Sequence, residues 1–244
     1  ILPSFFEFVK RINKTLSAPS SARVAFYASY DDSLQSVVDG YRAEYEASVS
    51  AVDPELGKFL GFLESRSPQD GSLLIFTADH GESFERGYLG HGEDLYENST
   101  RVPLIIRYPR QKSGERVAGL TQSIDIAPTV LRALGIPVPD WMEGQPLMPG
   151  VSPENRATVT INFKHPDENV FYSLPTKLAI WRNQYKLIAS CGAGNQELYD
   201  LENDPQEQFN LASQNPALVE ELKRELKRHI AKQKREPKLA CPNF

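Results

Sequence analysis

Leu73, Leu74, Ile75 and Phe76 form an unbroken apolar run that leads through Thr77-Ala78 into Asp79-His80-Gly81-Glu82. Such a run is the pattern of a short strand covered on both faces, as in a parallel sheet. Upstream, residues 41–66 carry Val49, Val52, Leu56, Phe59, Leu60 and Leu63 at helical spacing, which predicts a helix with one buried stripe. Asp53-Pro54 within it predicts a kink, or a restart with Asp53 as N-cap and Pro54 in the first turn. A turn at "SPQDGS" then joins this helix to the strand at 73–77, the repeating unit of α/β proteins. A second strand is predicted over 102–109, "VPLIIRYP".

"SIDIAPTVLRALGIPVP" predicts a helix with Asp125 or Ser123 as N-cap and Pro128 in its first turn, closed by Gly135 and Pro137. Beyond residue 150 the texture changes. "ATVTINF", "LAIWRNQYKLIAS" and "ELYDL" predict short strands, two of them joined by a turn at Asn183-Gln184. A last helix starts at Asn215-Pro216, with Leu218, Leu222, Leu226 and Ile230 on one face. Its early Glu220 and Glu221 and late Lys232, Lys234 and Arg235 suit the helix dipole, so the basic end reads as a solvated terminus. The expected organisation is an α/β domain over 1–150 followed by a smaller antiparallel α+β subdomain over 151–244.

Composition narrows the function only broadly. Apolar residues at 40% and charged residues at 24% suit a globular chain with a sizeable core, and a net charge of −5 argues against general nucleic-acid binding. No apolar stretch approaches the ~20 residues that span a bilayer. Cys191 and Cys241 leave two readings open, a disulfide in an oxidising compartment or two idle thiols. The opening "ILPSFFEFV" reads like the interior of a protein, so a fragment is expected.

The chemistry concentrates in the long connection between the two predicted strands, which holds two of the four histidines, His80 and His91. At a strand end that turns through Gly81, Asp79 and His80 can converge on one ion, and carboxylate plus imidazole suits several divalent cations. The competing reading is a surface turn whose aspartate caps a backbone group. His91 lies between Gly90 and Gly92, which expose the ring and let the backbone approach a ligand. An imidazole there can give a proton to a leaving oxygen or bind an anion; otherwise it is an ordinary loop histidine. Glu82 and Glu97 flank these residues and are expected to hold backbone amides, while His165 in "NFKHPDE" reads as part of a polar surface loop.

Five blocks together resemble the sulfatases of the alkaline phosphatase superfamily: Y-(x)3-Y-(x)3-V-(x)2-VD-(x)3-G at 41–57, "LLIFTADHGE", "GHGEDLYENSTRVPLIIRYP", "SIDIAPTVLRALGI" and "QYKLI…ELYDLENDPQEQFNLA". They stand in the family's order across residues 41–212. The resemblance implies part of an alkaline-phosphatase-like α/β sheet with flanking helices, followed by a small subdomain with an antiparallel sheet and a packed helix. It makes Asp79 and His80 metal ligands and places His91 on the substrate side, near the leaving or nonbridging oxygens of the ester. The expected ion is Ca²⁺, with Mn²⁺, Mg²⁺ or Zn²⁺ in relatives. The implied substrate is a sulfate ester, small molecule or glycan. Relatives that act on phosphoesters or transfer phosphoethanolamine share the DHGE and GHG blocks, so phosphoryl chemistry is the alternative, and a non-catalytic scaffold is a third reading.

The family also begins with a strand ending in paired aspartates, then presents a nucleophile in Cys/Ser-x-Pro-x-Arg that becomes formylglycine. Asp31-Asp32 imitates the first, but stands directly before the helix at 41 with no room for the second. "SAPSSAR" imitates the second, but Ser21 occupies the arginine position and the order is reversed. Both are read as decoys. The chain is therefore expected to supply half of a metal site, to need the N-terminal half of the same protein as its partner, and to show little activity alone. Many relatives are exported, but the sequence leaves the compartment open.

Overall fold

The computed structural model describes residues 35–66, 71–85, 89–91, 94–151, 153, 156–164, 174–191 and 194–232. Asp31-Asp32, "SAPSSAR", Gly92, His165, Lys234, Arg235 and Cys241 lie outside them. The chain divides into two compact units. The first takes in everything up to Ile75 with the segments His80–Glu93 and Ile105–Lys112; the second holds Phe76–Asp79, Asp94–Leu104 and all from Ser113 onward. Among the described residues no helix is long and apolar enough to cross a membrane.

Helix α1, Gln35–Arg66, dominates the first unit. It starts earlier than the apolar spacing predicts and runs through Pro54 without a restart. The proline removes one N–H, so the carbonyl four residues back loses its helical partner. Residues 50–55 are exposed, so water can take that carbonyl, and the remaining bonds of a 32-residue helix carry the element through. The predicted buried stripe is also not found. Val49, Val52 and Phe59 are 53%, 47% and 51% exposed, and Val38 is the helix's buried residue. The cause is local: the apolar cluster at this helix gathers Val38 and Tyr41 with Phe84 and Leu89, which covers the N-terminal third of α1 only.

Strand β1, Leu74–Thr77, pairs with β2, Leu104–Arg107, in a two-stranded sheet. Both predicted strands are present, slightly shorter than expected. Coverage on both faces is not, since Phe76 and Thr77 are exposed, and a sheet of two strands offers no neighbours to bury them. A four-residue helix α2, Glu97–Thr100, interrupts the connection between β1 and β2.

In the second unit a 3-10 turn at Ser123–Asp125 leads into α3, Ile126–Ala133. Asp125 rather than Ser123 is the capping residue, and it caps the 3-10 turn instead of α3 itself. Its carboxylate accepts the N–H of Gln122 at 2.7 Å and that of Gln145 at 2.8 Å, and pairs with both terminal nitrogens of Arg156. Helix α3 ends as its sequence predicts. Gly135 adopts φ +71°, its N–H reaches Arg132 O, and the Ile136 N–H reaches Leu131 O, a glycine-closed C-terminus.

Strands β3 (Thr158–Lys164), β4 (Leu174–Arg182), β5 (Tyr185–Ser190) and β6 (Gln196–Asp200) form one antiparallel sheet in sequence order. Asn183-Gln184 makes the predicted tight turn between β4 and β5, with Asn183 at φ +52°. Alternation then sorts the side chains. Leu178, Ile180, Leu187 and Leu198 face α4, Pro216–Lys232, which buries Val219, Leu222 and Leu226 against them. Ala179, Trp181, Ile188 and Tyr199 point to the opposite face, where Leu95 closes over them. Cys191, just past β5, is disulfide-bonded, and no free cysteine occurs among the described residues.

Leu222 is 1% exposed at the centre of the helix–sheet core, so Leu222→Ala is expected to destabilise the chain by ~2–5 kcal/mol. Leu134, 66% exposed, serves as the control, and Leu134→Ala is expected to change stability by about 0.5 kcal/mol or less. Urea denaturation monitored by circular dichroism reads both. Equal losses in the two variants would contradict this placement of the core.

Candidate functional site

The residues after β1 leave the strand on a turn, and two features of the first unit then shape the histidine loop. The first is a pair of backbone hydrogen bonds, Ser83 N–H to Gly90 O at 2.9 Å and Gly90 N–H to Ser83 O at 3.2 Å. Gly90 stands at φ +141°, where glycine avoids the strain that a side chain would meet. This narrow bridge brings residue 91 back beside residue 82. The second is the grip of α1. Gln35 Nε2 and Arg42 Nη2 both donate to the carbonyl of Phe84, at 2.9 and 2.7 Å, and Arg42 pairs with Glu85 at 2.8 Å. The Tyr45 and Phe84 rings meet with centroids 5.2 Å apart.

Inside this frame the rings of His80 and His91 stack, their centroids 3.9 Å apart and their planes 24° from parallel. His91 Nδ1 lies 2.9 Å from Glu82 Oε2, so the carboxylate orients the ring and directs the other nitrogen, Nε2, away from it. Glu82 thus holds an imidazole, not the backbone amide expected of it. Its second oxygen, Oε1, is buried with no hydrogen-bond partner. His80 Nδ1 lies 2.8 Å from the carbonyl of its neighbour Gly81. A carbonyl can only accept, so this contact puts the proton on Nδ1 and the lone pair on Nε2, the form in which histidine binds a metal.

Asp79 and His80 are both exposed. Their donor types suit a divalent cation, but two donors do not complete a coordination shell, and Ca²⁺ takes six to eight oxygens. Among the described residues no three His, Cys, Asp or Glu side chains gather in a way that could hold a metal. Asp79 and His80 therefore fit as part of a metal site, not as a whole one.

A second cluster, in the other unit, was not anticipated. Lys186 of β5 has no exposed surface, and its Nζ lies 2.7 Å from Glu207 and 3.1 Å from Glu97. The Trp181 ring centroid is 4.6 Å from the same nitrogen, and Trp181 Nε1 donates to Glu97 Oε1 at 2.7 Å. Glu97, like Glu82, was expected to hold backbone amides and instead takes side-chain donors. Its own N–H donates to Glu207 Oε2 at 2.6 Å. Glu207 comes from the "DLENDPQEQFNLA" block, whose turn places it at φ +54°. Burial pushes its carboxyl above the ordinary value of 4.5, over the opposing pull of Lys186 and the Glu97 N–H. Only the repeated presence of Lys186, Glu97 and Glu207 in the recognised blocks could have hinted at this.

Comparison with known proteins agrees with this layout. Residues 13–136 match the family described as Sulfatase, and residues 87–236 match the one described as N-sulphoglucosamine sulphohydrolase, C-terminal. Arylsulfatase K of Xenopus laevis is 27% identical over 217 residues, 84% of this chain and 40% of that protein. N-acetylglucosamine-6-O-sulfatase of Bacteroides thetaiotaomicron is 31% identical over 180 residues, 70% of this chain and 32% of that one. A protein solved in complex with its substrate D-glucosamine-2-N,6-O-disulfate superposes with a TM-score of 0.68 at 28% identity, over 80% of this chain and 41% of its own. The chain thus spans about two fifths of the length of the first of these relatives.

Glu207 supplies a pH test. A carboxyl whose folded pKa lies above its unfolded one stabilises the fold when protonated, so that contribution is lost as pH rises through the folded value. The native chain is therefore expected to lose stability over the window just above pH 4.5, and Glu207→Gln to lose less over the same window. Urea midpoints measured against pH read the difference, and parallel curves would contradict it.

Proposed function

The chain belongs to the sulfatase family, and from that premise we propose that the whole protein hydrolyses sulfate esters, with sulfated amino sugars as the substrate class. The observation that carries this reading is the stacked His80–His91 pair with Glu82 orienting His91, set within the segment that matches the family. The substrate class follows from the relatives, one named for N-acetylglucosamine 6-O-sulfate and one bound to a glucosamine disulfate.

Each residue then has a role of its own. His91 presents Nε2 to the ester, because Glu82 occupies Nδ1. In its protonated form that nitrogen gives a proton to the departing sugar oxygen, which spares the alcohol from leaving as an alkoxide. Glu82 holds the ring at one angle, so the donor is positioned before substrate arrives. Arg42 and Gln35, through Phe84, keep the loop at a fixed distance from α1.

Sulfatases are generally dependent on a divalent metal. Asp79 and His80 are proposed as two of its ligands, with Ca²⁺ as the ion. When bound, such an ion acts as a Lewis acid on an ester oxygen.

Incubating the whole protein with glucosamine 6-sulfate and with the matching 6-phosphate, in the presence of Ca²⁺, tests the activity. Sulfate release is expected. Phosphate release in its place would move the reading to phosphoryl transfer, and neither product would overturn it. His91→Ala is expected to lower kcat by about 10²–10⁴-fold with a smaller change in KM. Asp79→Ala and His80→Ala are each expected to weaken Ca²⁺ binding in calorimetric titration, and unchanged binding would remove them from the metal site.

A further inference from the structure

Lys186 raises a question that core packing does not answer. One ammonium and two carboxylates, Glu97 and Glu207, lie together with 0%, 16% and 2% of their side chains exposed. Taking such charges from water costs more than an apolar core of the same volume, so stability alone is a poor reason to keep them. What the cluster adds is direction. It meets the segment Leu95–Thr100 at its most weakly supported point.

Helix α2 is four residues long, and a helix so short does not hold itself. Its N-cap residue, Tyr96, makes no side-chain capping bond. The Glu207 carboxylate stands in for one by accepting the Glu97 N–H from 110 residues away. Lys186 holds that carboxylate, and it also holds the side chain of Glu97 together with Trp181. On either side, Leu95 is buried among Trp181, Ile188 and Tyr199, and the Tyr96 hydroxyl donates to Glu197 at 2.7 Å. The sheet face thus determines the conformation of a segment that begins four positions after His91.

We propose that Lys186 is a positioning residue for the reaction. By binding Glu97 and Glu207 at once it fixes Leu95–Thr100, and so the exit of the loop that carries His91. The proposal rests on His91 being the substrate contact assigned above, but its structural half can be read without activity.

The test uses Lys186→Met and, should that variant fail to fold, Glu207→Gln, in a Trp141→Phe background that leaves Trp181 as the single tryptophan. Hydrogen exchange is expected to speed up about tenfold or more at Glu97, Ser99, Thr100 and Arg101, while β4, β5, β6 and α4 change by about twofold or less. Trp181 emission is expected to shift as its charged neighbour is lost. In the whole protein, kcat is expected to fall about tenfold or more with KM changed by about threefold or less. A folded variant whose segment exchanges at the wild-type rate overturns the proposal, as does uniform loss of protection across the sheet. Selective exchange with unchanged kcat overturns the catalytic half. A wild-type protein that hydrolyses no sulfate ester sinks the functional reading instead, and selective exchange would still support the hold of Lys186 on the segment.

Discussion

A buried ammonium must be matched, and the way Lys186 is matched determines much of the second unit. Its strand neighbours Trp181 and Tyr199 lie across from it in register, so the three form one row on the sheet face away from α4. That face would be open to water were it not covered by Leu95 and its neighbours. Once it is covered, Lys186 cannot reach solvent, and two carboxylates have to come to it. One arrives on α2 and the other on the turn after β6. The sheet, the short helix and the late turn therefore depend on one another, and removing the cation would leave two buried negative charges unpaired.

The first unit relies on smaller devices. A two-bond bridge at Ser83 and Gly90 closes the histidine loop, and two donors from α1 converge on one carbonyl. The loop's rings then have little choice of position, since one stacks on the other and Glu82 holds the second. The hydrogen bonds of His80 and His91 leave complementary nitrogens for different tasks. A lone pair on His80 Nε2 suits a cation, while His91 Nε2 suits an ester oxygen. Two adjacent imidazoles are given separate chemistry by what touches their Nδ1 atoms.

The site is nevertheless partial. Asp79 and His80 contribute two donors, and the chain spans about two fifths of its first relatives' length. Family membership accounts for why such a turn follows β1. The long exposed face of α1, with Val49, Val52 and Phe59 uncovered, shows that a helix can keep its apolar stripe while the partners of that stripe are elsewhere.

Much of this was legible in the sequence wherever the information is local. Alternation and turn chemistry placed β3 to β6 with the Asn183-Gln184 turn, four-residue spacing placed α4, and Gly135 placed the end of α3. The order of the recognised blocks placed the candidate chemistry at Asp79, His80 and His91. Burial was less legible. Periodicity says which residues share a face, not whether anything covers that face, so the stripe of α1 was expected inside and is exposed. Lys186 failed in the opposite sense. In "YKLIAS" it sits at an alternating position that reads as solvent-facing, yet it is fully buried. Its partners are 89 positions away at Glu97 and, for the Glu97 amide, 110 positions away at Glu207. Charge pairs over such separations leave no local pattern, because the sheet's register and the segment folded across it bring them together. The elements and their chemistry were determined by the sequence itself; which charges must share one dry space was decided only when the chain closed on itself.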